Sequence, residues 1–395
     1  MTTRRLRNRW LGLLTTLGFL LGFVPAAQAV PAFARKHDMA CSECHSAWPL
    51  LNKVGRTFKE NGYRLDREPA SAEKKGSPDL TIDDRLSLAK MLPMSMRFQG
   101  RPVVKRNTDT RFDMQVIHEF ELQISDSAPK DFSYYSNFEA ADDGGWAVEL
   151  VDIAAGWHPR EEANVVAGYS RMGFADGYNT FASRRLTQDR PAPNSAGFQS
   201  NYRFRDGTPF VTFYGRVKDL YYSATVGTGR DDTIGADKKD YLLRAAYDIP
   251  FGLSVGAFAL IGERELTATA TLPLRTQDYT RRGVDLQFDG KRFSANALWF
   301  KAKEDLATTL VTQENDAWYV QAHYVTPTKI PVVPVLRYES VQSASGQAST
   351  KAVTAALIAY VRGNINVSFD YIKQTKVPPG TAKTNRYSVL AILGF

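Results

Sequence analysis

The chain has 395 residues, 43% of them hydrophobic, a formal net charge of +8 and only two cysteines. Half of that charge comes from Arg4, Arg5, Arg7 and Arg9, without which it falls to +4, and with no nucleic-acid motif present the basic balance does not argue for such a partner. So few cysteines exclude a disulfide-rich scaffold, and nothing beyond the N-terminus is apolar for the ~20 residues that a spanning helix needs. Two classes remain: an exported soluble protein, or a membrane β-barrel whose lipid-facing residues only alternate.

In chain order, the basic head is followed by the apolar run LGLLTTLGFLLGFV and by PAAQA. This is the build of a secretory signal peptide over residues 1–29, with cleavage expected after Ala29. Next comes Cys41-Ser42-Glu43-Cys44-His45, which holds both cysteines. The C-x-x-C-H spacing is that of a covalent haem c site, in which two thioethers grip the macrocycle and the adjacent imidazole ligates the iron. Cys41 and Cys44 are therefore the candidate anchors and His45 the candidate proximal ligand. A zinc site would need two further ligands, with only His37 nearby, and a dithiol redox pair would want a βαβ surround.

A helix is expected after the motif: Pro49 suits its first turn, Leu51, Val54 and Phe58 share one face, and Gly62 offers the stop. After a polar stretch ending near Asp79, Thr81 with Asp84 reads as a capping box starting a second helix through Leu92. Residues 30–92 thus form a small haem segment, marginal as an independent core and in need of a second surface. His37 and Met39 lie on the strand of chain entering the site. The cluster Met91, Met94 and Met96 is placed better for the opposite haem face, with Met94 the choice for the sixth ligand.

From residue 93 the period changes to two. Phe112, Met114, Val116, Phe120, Leu122 and Ile124 share one parity, and Asp113, Gln115, Glu119, Glu121 and Gln123 the other, which predicts a strand with one apolar and one polar face. The pattern recurs through 131–140, 145–157, 209–217, 220–229, 283–290, 293–302, 317–325 and 364–372. Short connections alternate with long polar ones at 172–207, 230–238, 264–278, 304–314, 342–350 and 375–383, as the turns and outer loops of an outer-membrane barrel do. Seventeen candidate strands become 16 when 197–205 is placed inside the first long outer loop, as a hairpin there, so that both barrel ends face the periplasm. The chain closes on RYSVLAILGF, an alternating strand ending in the aromatic Phe395. The expected fold is an all-β transmembrane barrel of about 16 antiparallel strands over 93–395, preceded by the small helical haem segment and a cleaved leader.

Residues 31–65 resemble the opening of the outer-membrane cytochrome–porin fusions of iron-oxidising bacteria. The likeness rests on Phe33-Ala34-Arg35, the C-x-x-C-H motif, Pro49-Leu50, Gly55-Arg56, Phe58 and Asn61-Gly62-Tyr63. His37 and Asp38 are more charged than that pattern. The resemblance implies one haem c held by Cys41, Cys44 and His45 at a 16-stranded barrel. It further implies an electron-transfer role, oxidising extracellular Fe(II) and passing electrons to a periplasmic c-type cytochrome. Glu119, Glu121 and Glu139 are candidates for easing a divalent cation through the lumen, and Asp231, Asp232 and Asp237 for concentrating it outside. The ordinary reading of each is a polar lumen or a solvated loop. Two alternatives stand beside Fe(II) oxidation: a conduit for another donor or acceptor, and a diffusion porin whose haem segment is a plug.

Overall fold

The computed structural model describes residues 32–65, 80–83, 86–88, 93–107, 113–142, 145–181, 185–228, 238–269, 272–343 and 349–394. The leader, Met91, Asp231, Asp232, Asp237 and Phe395 lie outside them.

The N-terminal segment contains α1 (Ala32–His37), α2 (Cys41–Cys44), the short pair β1 (His45–Ala47) and β2 (Leu50–Leu51), and α3 (Lys53–Glu60). A hairpin of β3 (Leu80–Asp83) and β4 (Leu86–Leu88) follows. It stands where the capping box predicted a helix. Thr81 and Ile82 are β-branched, and in strands such side chains lose less rotamer freedom than in a helix.

The remaining strands close into one antiparallel barrel of 16, β5 (Met94–Arg106) through β20 (Asn385–Gly394), sealed by pairing of β20 with β5. Closure leaves no edge and pairs the ladder groups within the wall, the condition for crossing lipid with strands. The predicted parity is plain in β12 (Lys239–Ile249), where buried and exposed residues alternate without a break. Outward positions such as Val255, Val284, Leu286, Val320, Leu336 and Leu357 are large, apolar and exposed. Inward ones such as Thr225, Arg244, Asp285, Arg281, Glu304 and Arg337 are polar and buried. At the short-turn end, the outward cross-strand pairs Phe132–Trp157 and Phe293–Tyr324 belong to an aromatic girdle. An apolar belt, an aromatic rim and a closed wall make this a bacterial outer-membrane barrel.

The long segment 172–207, expected as an outer loop, instead folds into the lumen. No hairpin forms over 197–205; the segment runs through irregular turns with short 3-10 pieces at Asn179–Phe181 and Ala192–Ser195. Its Met172, Phe181, Tyr202 and Phe204 pack with Phe258, Tyr279 and Phe300 of the inner wall. Its polar groups meet the wall's charges: Arg244 Nε lies 2.9 Å from Asp176, and Arg281 donates to the carbonyls of Ala196 and Tyr202 while pairing with Glu304 at 2.7 Å. Buried ions are tolerated when paired and hydrogen-bonded. Inward-folded aromatics with no period left no strand or helix pattern to find.

Candidate functional site

The N-terminal segment sits in the barrel's short-turn mouth, the periplasmic end by its turn lengths. Every anchor is at that end. Ala32 N donates to Ser95 Oγ at 2.8 Å, Arg35 to the Met94 carbonyl at 2.8 Å, and Lys36 pairs with Asp126 at 2.8 Å. Arg64 reaches Asp131 at 2.6 Å, and the Tyr360 hydroxyl donates to the Trp48 carbonyl at 3.1 Å. From α3, Arg56 pairs with Asp289 at 2.5 Å, and Glu60 receives a two-pronged contact from Arg216 at 2.8 and 2.9 Å. The inner segment completes the contact, with Asn179 exchanging two hydrogen bonds with Leu51 at 3.0 Å each. The segment is a plug.

Local sequence explains its shape. The Asn52 side chain accepts from Gly55 N at 3.0 Å and caps α3, so the helix starts at Lys53 and leaves Pro49 in the preceding turn. At the other end Tyr63 N donates to Phe58 O at 2.9 Å and Gly62 N to Lys59 O at 3.1 Å, a Schellman stop with Gly62 at φ 66°. The face that α3 buries differs from the expected one: Phe58, Gly55, Arg56 and Glu60 are inside, whereas Val54 is exposed. Gly55 faces the motif so closely that a Cβ there would lie 2.2 Å from the Cys44 carbonyl oxygen. Phe33, Phe58 and Tyr63 then form an aromatic floor, with ring centroids 5.0 Å apart for Phe33–Phe58 and Phe33–Tyr63.

Above this floor lies a cavity of about 290 Å³, near the lower bound of ligand pockets at ~300 Å³. Cys41, Cys44 and His45 line it together, with apolar walls from Trp48, Leu51 and Phe58. The cysteines sit one helical turn apart on α2 and are free rather than bridged. Burial pushes both thiols up, with Glu43 and then Cys41 adding to the effect at Cys44, the reverse of the lowered thiol that disulfide exchange requires. Among the described residues, no three His, Cys, Asp or Glu ligand atoms including these cysteines converge closely enough to hold a metal, which argues against zinc. Two spaced thiols, a neighbouring imidazole and apolar walls suit a flat macrocycle fixed at its edge.

The sixth-ligand candidates separate. Met96, His37 and Met39 line the cavity, but Met94 is not among its lining residues; what Met94 contributes is its backbone carbonyl to Arg35. Two charged lining residues had no sequence signal. Lys59 points inward, donating to the Asp176 carbonyl at 3.0 Å and lying 5.2 Å from the Phe174 ring centre, and Arg171 reaches the same cavity from the inner segment. Burial, then Arg171, brings Lys59 down to about 7 from its ordinary 10.5. Between those values the undocked chain carries the extra proton, so plug docking is expected to strengthen as pH rises through that window and to lose nothing further below it. Lys59→Met should flatten this slope, measured as the urea midpoint for plug release at pH 7 and pH 10.

No protein-family model matches the chain, and no curated protein sequence is similar to it. Its fold is shared with solved outer-membrane proteins. Salmonella typhi OmpF, in a complex with daunomycin, matches with TM-score 0.56 and 14% identity, over 76% of this chain and 97% of that one. A loop-deletion form of OmpT, an outer membrane protein of Vibrio cholerae, gives 0.55 and 12%, over 76% and 98%. Pseudomonas putida OprB gives 0.54 and 9%, over 76% and 93%. The chain is a porin-like outer-membrane barrel. At these identities the likeness concerns the fold alone.

Proposed function

We propose that this barrel is a plugged porin that carries one haem c in its periplasmic mouth and moves electrons across the outer membrane, Fe(II) outside being the donor and a periplasmic c-type cytochrome the acceptor. The observation that carries this reading is the convergence of Cys41, Cys44 and His45 on one cavity inside the barrel mouth. Cys41 and Cys44 would anchor the macrocycle and His45 would ligate its iron from one side, with His37 or Met39 available on the cavity wall for the other. The group supplies one-electron chemistry when bound, with a potential set by axial ligand and burial. The chain supplies the rest. Phe33, Phe58 and Trp48 exclude water, α2 exposes Ser42 and Glu43 beside the anchors toward the periplasm, and the wall keeps the donor's product outside. Each Fe(II) would give up one electron and leave as Fe(III), which is insoluble near neutral pH and harmful if formed within the cell. The resemblance of residues 31–65 to the cytochrome–porin fusions supports the donor.

A second reading has its own support. One solved neighbour in fold, DcaP of Acinetobacter baumannii, is an outer membrane channel, and a diffusion porin with a haem-bearing plug would use the same anchors. Against it stand two inserts, the plug and the inner segment, both packed in the lumen. Anaerobic stopped-flow mixing of the purified protein with Fe(II), read at the haem bands, separates the two. Reduction within the mixing experiment, joined to low conductance in planar bilayers, is the expected result. An oxidised haem under excess Fe(II), with porin-sized solute conductance, would sink electron transfer and leave the porin.

A further inference from the structure

A second cavity, of about 340 Å³, lies against the inner wall of β5 to β9 (Asn164–Ser170) and runs toward the inner segment's Arg185, Arg190 and Arg205. It shares Trp48, Arg97, Glu121 and Arg171 with the cavity of the cysteines, so the two are adjoining chambers. We propose that Glu119, Glu121, Glu139 and Asn137 in this chamber form a binding site for a divalent, oxygen-preferring cation. Its role as the donor's station rests on the haem reading above; the binding of a cation does not.

Three features on adjacent strands carry the proposal. One oxygen from each of Glu119, Glu121 and Glu139 lies within 4.8 Å of the others, a spread that ligands about one ion at ~2.3–2.6 Å can span. Glu121 on β6 (Asp113–Ala128) stands directly opposite Glu139 on β7 (Phe132–Asp142), and Glu139 directly opposite Glu149 on β8 (Trp146–Trp157). Like charges so placed repel unless a cation lies among them. Arg97 meets part of that need by donating to both Glu119 and Glu121, and Arg185 stands 3.7 Å from Glu119. Glu139 accepts no hydrogen bond among the described residues. The independent feature is Asn137: only 3% exposed and lining the same chamber, its Oδ1 has no hydrogen-bond partner among the described residues. Such a buried carbonyl is destabilising when unmet, and an ion or its bound water meets it. Carboxylates with an amide carbonyl are hard donors, suited to Mg, Ca, Mn and Fe in their divalent forms rather than to soft metals.

The test uses the full-length holoprotein in detergent and Mn(II) alone, followed by loss of the free-ion EPR signal. One saturable ion is expected. Glu139→Gln should weaken it at least tenfold and Asn137→Leu severalfold, whereas Glu314→Gln, an exposed acid far from the chamber, should leave it unchanged. Heat-modifiable migration on gels verifies that each variant is folded. Absence of saturable Mn(II) binding, or a folded Glu139→Gln that binds as wild type does, would overturn the site. An anaerobic Fe(II) arm keeps the two readings apart: a haem left oxidised while Mn(II) binds normally counts against Fe(II) oxidation and supports the cation site.

Discussion

Replacing Arg56 with alanine is expected to loosen the plug and add conductance events that the wild-type barrel lacks. Arg56 is 2% exposed, with Nη1 at 2.5 Å from Asp289 and Nη2 at 3.7 Å from Asp248, and its guanidinium lies 4.8 Å from the Tyr178 ring centre. Asp248 keeps Arg216 at 2.9 Å and Ser254. Asp289 has no other ion pair among the described residues. Removing one partner of a buried pair costs ~3–5 kcal/mol, because the other charge stays behind. A plug held by a few such pairs should spend a measurable fraction of time undocked after that loss. Arg56→Lys should fall between, since an ammonium keeps the charge but not the fork. Planar-bilayer recordings that show the alanine variant as quiet as wild type would mean that Arg56 does not hold the plug.

Gly55→Ala is expected to cut covalent haem loading severalfold while the barrel still folds. The added methyl would lie 2.2 Å from Cys44 O and 2.9 Å from Leu51 Cδ2. The first is a backbone atom that also accepts from Asn52 N at 3.0 Å, so it cannot swing aside as a side-chain tip would. Either α3 backs away from α2 or the turn carrying Cys41 and Cys44 rotates. Overpacking of this kind costs ~1–3 kcal/mol and sometimes more, and it falls on the geometry that presents both thiols. The haem-to-protein ratio of purified variants measures it, with Gly55→Val expected below alanine. Full loading with an unchanged spectrum would show that the contact relaxes at no cost to the site.

How much was legible follows from periodicity. The wall of the barrel is read directly because strands such as β12 and β15 (Phe293–Asp305) alternate at a period of two between lipid and lumen. That Cys41, Cys44 and His45 share one cavity was legible because their spacing is local to five residues. What escaped was set by partners distant in sequence. Arg56 and Glu60 meet Asp289 and Arg216 across the barrel mouth, partners that no local pattern announces. That long-range pairing turns the charged face inward and exposes Val54. Segment 172–207 looked like an outer loop because it is polar and aperiodic, and only closure of the barrel gives its aromatics a core to enter. Met94 was chosen by position along the chain; it opens β5 with its carbonyl held by Arg35, and it falls outside the cavity lining that Met96 joins. His37, set aside as lying on the entering segment, reaches the cavity because the chain turns back at Asp38, with φ 50°, between α1 and α2.

On the proposed function, the plug bears a single haem fixed through both cysteines. Mass spectrometry of the purified, exported protein, with the peptide spanning Cys41 to His45 isolated, tests it most directly. One haem on that peptide through two thioethers, lost entirely in Cys41→Ala/Cys44→Ala, is the expected result. An unmodified peptide with two free thiols, from cells competent in cytochrome c maturation, would contradict it.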